Sequence, residues 1–131
     1  MKIKKTKRIK LIPLPKLIKQ TDKLVSEFVR ARDKRCVTPS EKCTGVLQCS
    51  HLIKRGKMAT RFDLMNCNAQ CSHHNYLHNY EPEHYTNWFL RKYGDLAYAI
   101  LVEKSLTIKK YTRTELENIQ TAIKILLGEI K

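Results

Sequence analysis

The sequence predicts an α+β fold: a helix-rich single domain built around a small β element that a metal ion staples. Three observations predict it. Apolar residues recur at helical spacing before residue 35 and again after residue 81. Between those regions lies "VLQCSHLI" (residues 46–53), a short apolar run of strand length. Two Cys/His pairs, Cys36-x6-Cys43 and Cys71-x2-His74, flank that run, which is how a tetrahedral ion is usually gripped. At 131 residues the chain fits one domain with a modest core, so a metal staple is a useful supplement.

The elements follow in order. Residues 1–19 hold eight basic residues and no acid, and read as a basic, flexible, extended arm; residues 20–131 form the folded domain. Thr21 or Asp22 caps a helix to about Lys34, with Leu24, Val25, Phe28 and Val29 on one face. Its basic last turn suits a helix C-terminus and can also meet phosphate. "CVTPSEKCTG" (36–45) is a turn-rich loop, 46–53 a strand pair or a strand and turn, and "KRGKMATRFD" (54–63) a basic loop. The spacing then starts a helix near Asn68 that carries Cys71, His74, Asn75 and His78. Glu81-Pro82 opens another, with Tyr85, Trp88, Phe89 and Tyr93 on its buried side and Gly94 at its end. "DLAYAILVEKS" (95–105) is an apolar helix, or a buried strand. Thr112 or Thr114 caps the last helix, where Leu116, Ile119, Ile123, Leu126, Leu127 and Ile130 keep helical spacing.

Composition narrows the partner. Lys and Arg number 26 against 12 acids, a formal charge of +14 that exceeds any need of solubility. A polyanion is the first inference and nucleic acid the commonest one; the alternative is a basic tail without a dedicated ligand. No run approaches the roughly 20 apolar residues of a membrane span, and Pro13 and Pro15 interrupt the arm's apolar residues, so no membrane partner is expected. The basic start is followed by no apolar signal region. Five cysteines, an odd number at uneven spacing, argue against a disulfide framework and for a reducing compartment.

Zinc is the ion such cysteines select, and Cys36, Cys43, Cys71 and His74 are its candidate ligands. His73 lies beside His74, and His78, one turn on, can replace Cys36 or Cys43 or face a second metal. Cys49 and Cys67 are left over, and read as small buried apolar residues.

Between the two pairs, "CSHLIKRGKMATRFDLMN" places a histidine in a strand before a basic loop and an asparagine; a C-x2-H pair and another asparagine follow. This resembles the HNH (ββα-metal) nuclease motif, with His51, Asn66 and Asn75 at its three positions. "LIKQTDKLVSEFVRARDKRC", the central motif, "RKYG" and "YTRTELENI" together resemble the phage NinG (Rap) recombination proteins over about residues 15–131. The resemblance implies a ββα-metal core over about 36–80, followed by C-terminal helices over about 81–131. It also implies a phage-encoded endonuclease in the host cytoplasm that acts on branched DNA such as Holliday junctions and D-loops.

In that reading His51 is the general base, because a neutral imidazole suits proton abstraction from water. Asn75, with His78, offers atoms to a catalytic Mg²⁺ or Mn²⁺. Asn66 sits at a motif position yet suits bracing the loop through its amide. Lys54, Arg55, Lys57 and Arg61 are expected on the DNA backbone, with Arg61 also able to pair with Asp63. Zinc plays no chemical part and pins helix to strand. Ser50 occupies the place where many HNH enzymes carry an acidic or histidine ligand. It favours the chief rival, a zinc-stabilised, structure-selective DNA-binding protein that does not cut. A remoter rival binds RNA or assembles with other proteins. Two cuts across a junction make a homodimer attractive.

Overall fold

The computed structural model describes residues 10–130. Residues 1–9 of the expected arm and Lys131 lie outside them. The first helix, α1 (Leu14–Asp33), begins earlier than the sequence reading placed it, so residues 14–19 are helix rather than extended arm. Pro13 sits at the N-cap and Pro15 in the first turn, where a missing N–H breaks no helical hydrogen bond. Leu17, Thr21, Val25 and Phe28 are all buried, so the inward stripe extends to the helix start. Thr21 is therefore no cap: its Oγ1 donates to Leu17 O at 2.7 Å inside the helix. Lys34, left-handed at φ 65°, ends it.

Two strands follow, β1 (Leu47–His51) and β2 (Cys67–Cys71), paired antiparallel with His51 opposite Cys67 and Leu47 opposite Cys71. A short helix, α2 (Ser72–Leu77), continues directly from β2. Residues 68–71, expected as the start of that helix, are strand. Every residue of β2 is buried, which hides any alternation from the sequence. Its backbone groups are used on both edges: beyond the ladder to β1, Ala69 N donates to the Asp33 carboxylate and Ala69 O accepts from Val37 N, both at 2.8 Å. Gly45, at φ 81°, turns the chain into β1; a Cβ there would lie 1.6 Å from the Ser72 hydroxyl oxygen at the start of α2.

Three helices complete the domain: α3 (Glu83–Tyr93), α4 (Asp95–Ser105) and α5 (Arg113–Ile130). Residues 95–105, open to a strand reading, are helical. Thr112 caps α5 through a reciprocal pair, with Glu115 N donating to Thr112 Oγ1 and Thr112 N to Glu115 Oε1, each at 3.1 Å. The main core lies between α1, α5 and the hairpin and includes Leu17, Val25, Val29, Phe62, Cys67 and Leu116. A second cluster gathers Leu52, Tyr85, Phe89 and Leu101 beneath the other end. The result is the helix-rich α+β architecture expected, with a two-stranded sheet at its centre.

Arg32 locks α1 to the hairpin by donating to the carbonyls of Leu64 and Cys67 at 2.9 and 2.8 Å and to Asn68 Oδ1 at 3.1 Å. Among the described residues no helix is long and apolar enough to cross a membrane. Leu116 is fully buried between α1 and α5, so Leu116→Ala should cost about 2–5 kcal/mol in urea unfolding. Ile108→Ala, at a side chain 96 % exposed, should stay within about 0.5 kcal/mol of the parent.

Candidate functional site

Four side chains distant in sequence converge where β2 runs into α2. The ligand atoms of Cys36, Cys43, Cys71 and His74 all lie within 4.8 Å of one another. His74 Nδ1 stands 3.6, 3.5 and 3.0 Å from the sulfurs of Cys36, Cys43 and Cys71. A zinc tetrahedron with bonds of about 2.3 Å to sulfur and about 2.0 Å to nitrogen has S···N edges of about 3.5 Å, so this donor set fits. His74 Nε2 lies 3.2 Å from Ser40 Oγ, the kind of outer partner that fixes an imidazole with Nδ1 toward a metal. Burial tends to raise the Cys71 thiol, yet the His74 amide and imidazole, the Thr44 backbone and the Cys43 thiol bring it down to about 6, toward the thiolate a metal needs. The four residues can therefore hold a structural metal such as zinc.

His73 and His78 take no part in this cluster. His73 faces His74 edge-on at 5.1 Å between ring centroids. His78 Nε2 lies 2.8 Å from Leu52 O, on the other side of the helix. Cys49 and Cys67 also stay apart from it and pack with the α1–α5 core.

That other side of α2 borders a cleft of about 1080 Å³. His51, Asn75 and His78 line it, with Lys54 and Arg55 at its rim and no acidic residue among its lining. His51 Nε2 lies 3.0 Å from the Arg61 carbonyl oxygen, which accepts only, so Nε2 carries the proton and Nδ1 keeps the lone pair. Burial holds the His51 imidazole below its usual value; the Arg61 carbonyl and Asp22 oppose this, while Arg55 and Arg61 reinforce it. Asn75 Nδ2 donates to Gln48 Oε1 at 2.9 Å, which turns Oδ1 away from that bond as an available acceptor. His78, with Nε2 on Leu52, presents Nδ1 as a buried atom without a hydrogen-bond partner among the described residues.

The remaining expected site residues are placed as follows. Asn66 is fully buried and does not line the cleft. Its Oδ1 accepts from Ile53 N at 2.8 Å, and its Nδ2 donates to Ile53 O and Thr60 O at 3.0 and 3.1 Å, which closes the basic loop. Lys54, Arg55 and Lys57 are exposed on that loop. Arg61 is engaged elsewhere: its guanidinium grips Asp22 of α1 through two bonds, Nε to Oδ1 at 2.9 Å among them. The expected Arg61–Asp63 pair does not form, and Asp63 takes Lys104 at 2.7 Å. Ser50 is buried on the opposite face of β1, donating to Gln70 Oε1 at 2.6 Å, so it is no cleft ligand.

Sequence reasoning missed Gln48, which orients Asn75, and Ser40, which orients His74. A serine inside the Cys36–Cys43 loop was the only local signal of the second. Tyr85 was read as core, yet its hydroxyl also bonds Ser50 O at 2.8 Å and Asn68 Nδ2 at 3.0 Å beneath the hairpin.

These features define a class: a small α+β protein whose strand–strand–helix centre carries a Cys₃His metal-type cluster on one side and a basic, histidine-lined cleft on the other. The family described as bacteriophage lambda NinG protein matches residues 1–131, and the chain belongs to that family. No characterised protein and no solved structure gave a match.

Structural zinc can contribute roughly 10–16 kcal/mol of apparent binding energy, more than most domains' stability. One tight zinc per chain is therefore expected on metal analysis, and Cys71→Ser should lose both the zinc and the central fold. Cys49→Ser should keep that tight equivalent. Full zinc occupancy in the Cys71 variant would reject this ligand set.

Proposed function

We propose that the chain is a metal-dependent DNA endonuclease that hydrolyses phosphodiester bonds in branched recombination intermediates within the host cytoplasm. One observation carries the reading: His51, with Nε2 held by a backbone carbonyl and Nδ1 left as acceptor, lines the same cleft as Asn75, Lys54 and Arg55. A general base needs a fixed tautomer, an uncommitted lone pair and a pKa at or below working pH. His51 meets all three requirements.

The division of labour follows from the contacts. His51 Nδ1 takes the proton of the attacking water, while the Arg61 carbonyl holds the ring and the Asp22–Arg61 pair holds that carbonyl's loop. Asn66 fixes the loop that carries Lys54 and Arg55, so those charges face a phosphate backbone in constant register. Gln48 leaves Asn75 Oδ1 for a hard cation, and His78, whose Nδ1 has no hydrogen-bond partner among the described residues, lines the same cleft. Mg²⁺ or Mn²⁺, when bound, supplies positive charge at the scissile phosphate and its leaving oxygen. The Cys₃His cluster stands outside the chemistry, holding α2 and thus Asn75 against the hairpin that bears His51.

A second reading, a zinc-stabilised DNA-binding protein without cleavage, draws on a specific observation. No carboxylate lines the main cleft, and Ser50 points away from it, so a cation there has few protein ligands. Nicking of synthetic four-way junctions with Mg²⁺ or Mn²⁺ separates the two readings.

His51→Ala should lose about 10²- to 10⁴-fold in cleavage while keeping fold, zinc and junction binding. Asn75→Ala should also slow cutting, with partial rescue by added Mn²⁺, because its defect lies in metal affinity. Because burial lowers the His51 pKa, the base form is retained below the ordinary histidine value of about 6.5. The kcat/KM profile should accordingly be flat at neutral pH and fall only on the acid side of that value, an acid limb absent in His51→Ala. Near-normal cutting by pure His51→Ala would reject this mechanism and favour the binding reading.

A further inference from the structure

The hairpin that carries His51 gathers two more soft donors around it. Cys49 lies two residues before His51 on the same face of β1, and Cys67 is the cross-strand partner of His51 on β2. Pleat and register therefore bring three side chains together, and their ligand atoms all lie within 4.8 Å of one another. None of the three belongs to the Cys₃His cluster. A fourth donor is already in place: the Arg61 carbonyl oxygen is 3.0 Å from His51 Nε2 and 3.3 Å from Cys67 Sγ. Two thiols, an imidazole and one further oxygen donor make a ligand set that suits zinc.

We propose that Cys49, His51 and Cys67 form a second, weaker binding site for a zinc-class ion, and that occupying it switches off the general base. The second half rests on the endonuclease reading above; the first half does not. Binding releases the protons of both thiols, so two thiolates balance the ion's charge. Those protons are firmly held on the Cys67 side: its thiol sits well above the ordinary value because the Cys49 thiol and burial both raise it. With two thiols and a neutral carbonyl oxygen where the Cys₃His cluster has three thiols, the site fills only at free zinc beyond that which saturates that cluster.

The effect on His51 follows from imidazole chemistry. Nε2 is the nitrogen nearest the shared Arg61 carbonyl, and an ion on Nε2 displaces the proton now given to that oxygen. A neutral imidazole has one proton, which must then sit on Nδ1. Nδ1 is the acceptor that base catalysis uses, so an occupied site leaves no lone pair for the attacking water. Zinc would then act at two levels in one chain, as a fixed structural ion and as a concentration-dependent inhibitor.

The test uses full-length, zinc-loaded protein and Zn²⁺ itself as the probe, with native mass spectrometry as readout at rising free zinc. Wild type should go from one to two zinc ions per chain, whereas Cys49→Ser, Cys49→Ala and His51→Ala should stop at one. In parallel, junction nicking at fixed Mg²⁺ should drop by about 100-fold in wild type, the loss expected when a general base is removed. Cys49→Ser should keep cutting at the same zinc level. A wild type that never takes a second zinc, or Cys49 variants that take it equally well, overturns the site. Equal zinc inhibition of wild type and Cys49→Ser overturns the switch, since competition for the Mg²⁺ position would explain it. If wild type cuts no junction with either cation, the endonuclease reading falls and the zinc count alone decides the site.

Discussion

The structure depends on one convergence: Cys36 and Cys43 from a loop, Cys71 from the end of β2 and His74 from α2 meet within a single coordination radius. α2 has only six residues, far below the length at which a helix holds itself together in water. Its position must come from what it is tied to. On one side that is the Cys/His cluster, and on the other the hydrogen bonds from His78 to Leu52 O and from Asn75 to Gln48. With an ion bound at the cluster, the loop before β1 and the helix after β2 become one body, and the cleft between hairpin and helix gains a fixed wall.

The two sides of that body offer different donors. The cluster is sulfur-rich and mostly buried, which suits a soft or borderline ion. The cleft offers an amide oxygen, of the kind a hard cation takes, and exposed bases, of the kind phosphates take. Arg61 shows how the fold keeps the two roles apart. Its charge is spent on Asp22, and its carbonyl is what orients His51. The guanidinium expected on the DNA backbone is paired with an acid of α1 in this structure.

Much of this was legible in the sequence, and the exceptions have a common cause. The cluster was readable because metal ligands carry their identity in residue type and spacing. The α5 start was readable because Thr112 and Glu115 form a capping box within four residues. β2 was not readable: "CNAQC" looks polar and helical, and only the structure supplies Tyr85 for Asn68 and Ser50 and Thr38 for Gln70. The early start of α1 was hidden for the same reason, since Leu17 and Thr21 reveal their inward face only against Gln120 of α5. The Arg61–Asp22 pair spans 39 residues and leaves no local trace. Apart from the metal-type ligands, whose residue types mark them at any separation, partners far along the chain left no local pattern to select them.

The central claim is that one short helix separates a structural metal from a reactive one. The most direct measurement is anomalous diffraction from crystals of the protein with an uncleaved branched DNA, collected at the zinc and the manganese absorption edges after addition of Mn²⁺. The account predicts a zinc peak enclosed by Cys36, Cys43, Cys71 and His74. It also predicts a manganese peak within coordination distance of Asn75 Oδ1, on the opposite side of α2, with a phosphate between it and His51. A manganese peak away from Asn75, or DNA bound with no ion and no phosphate beside His51, would contradict it.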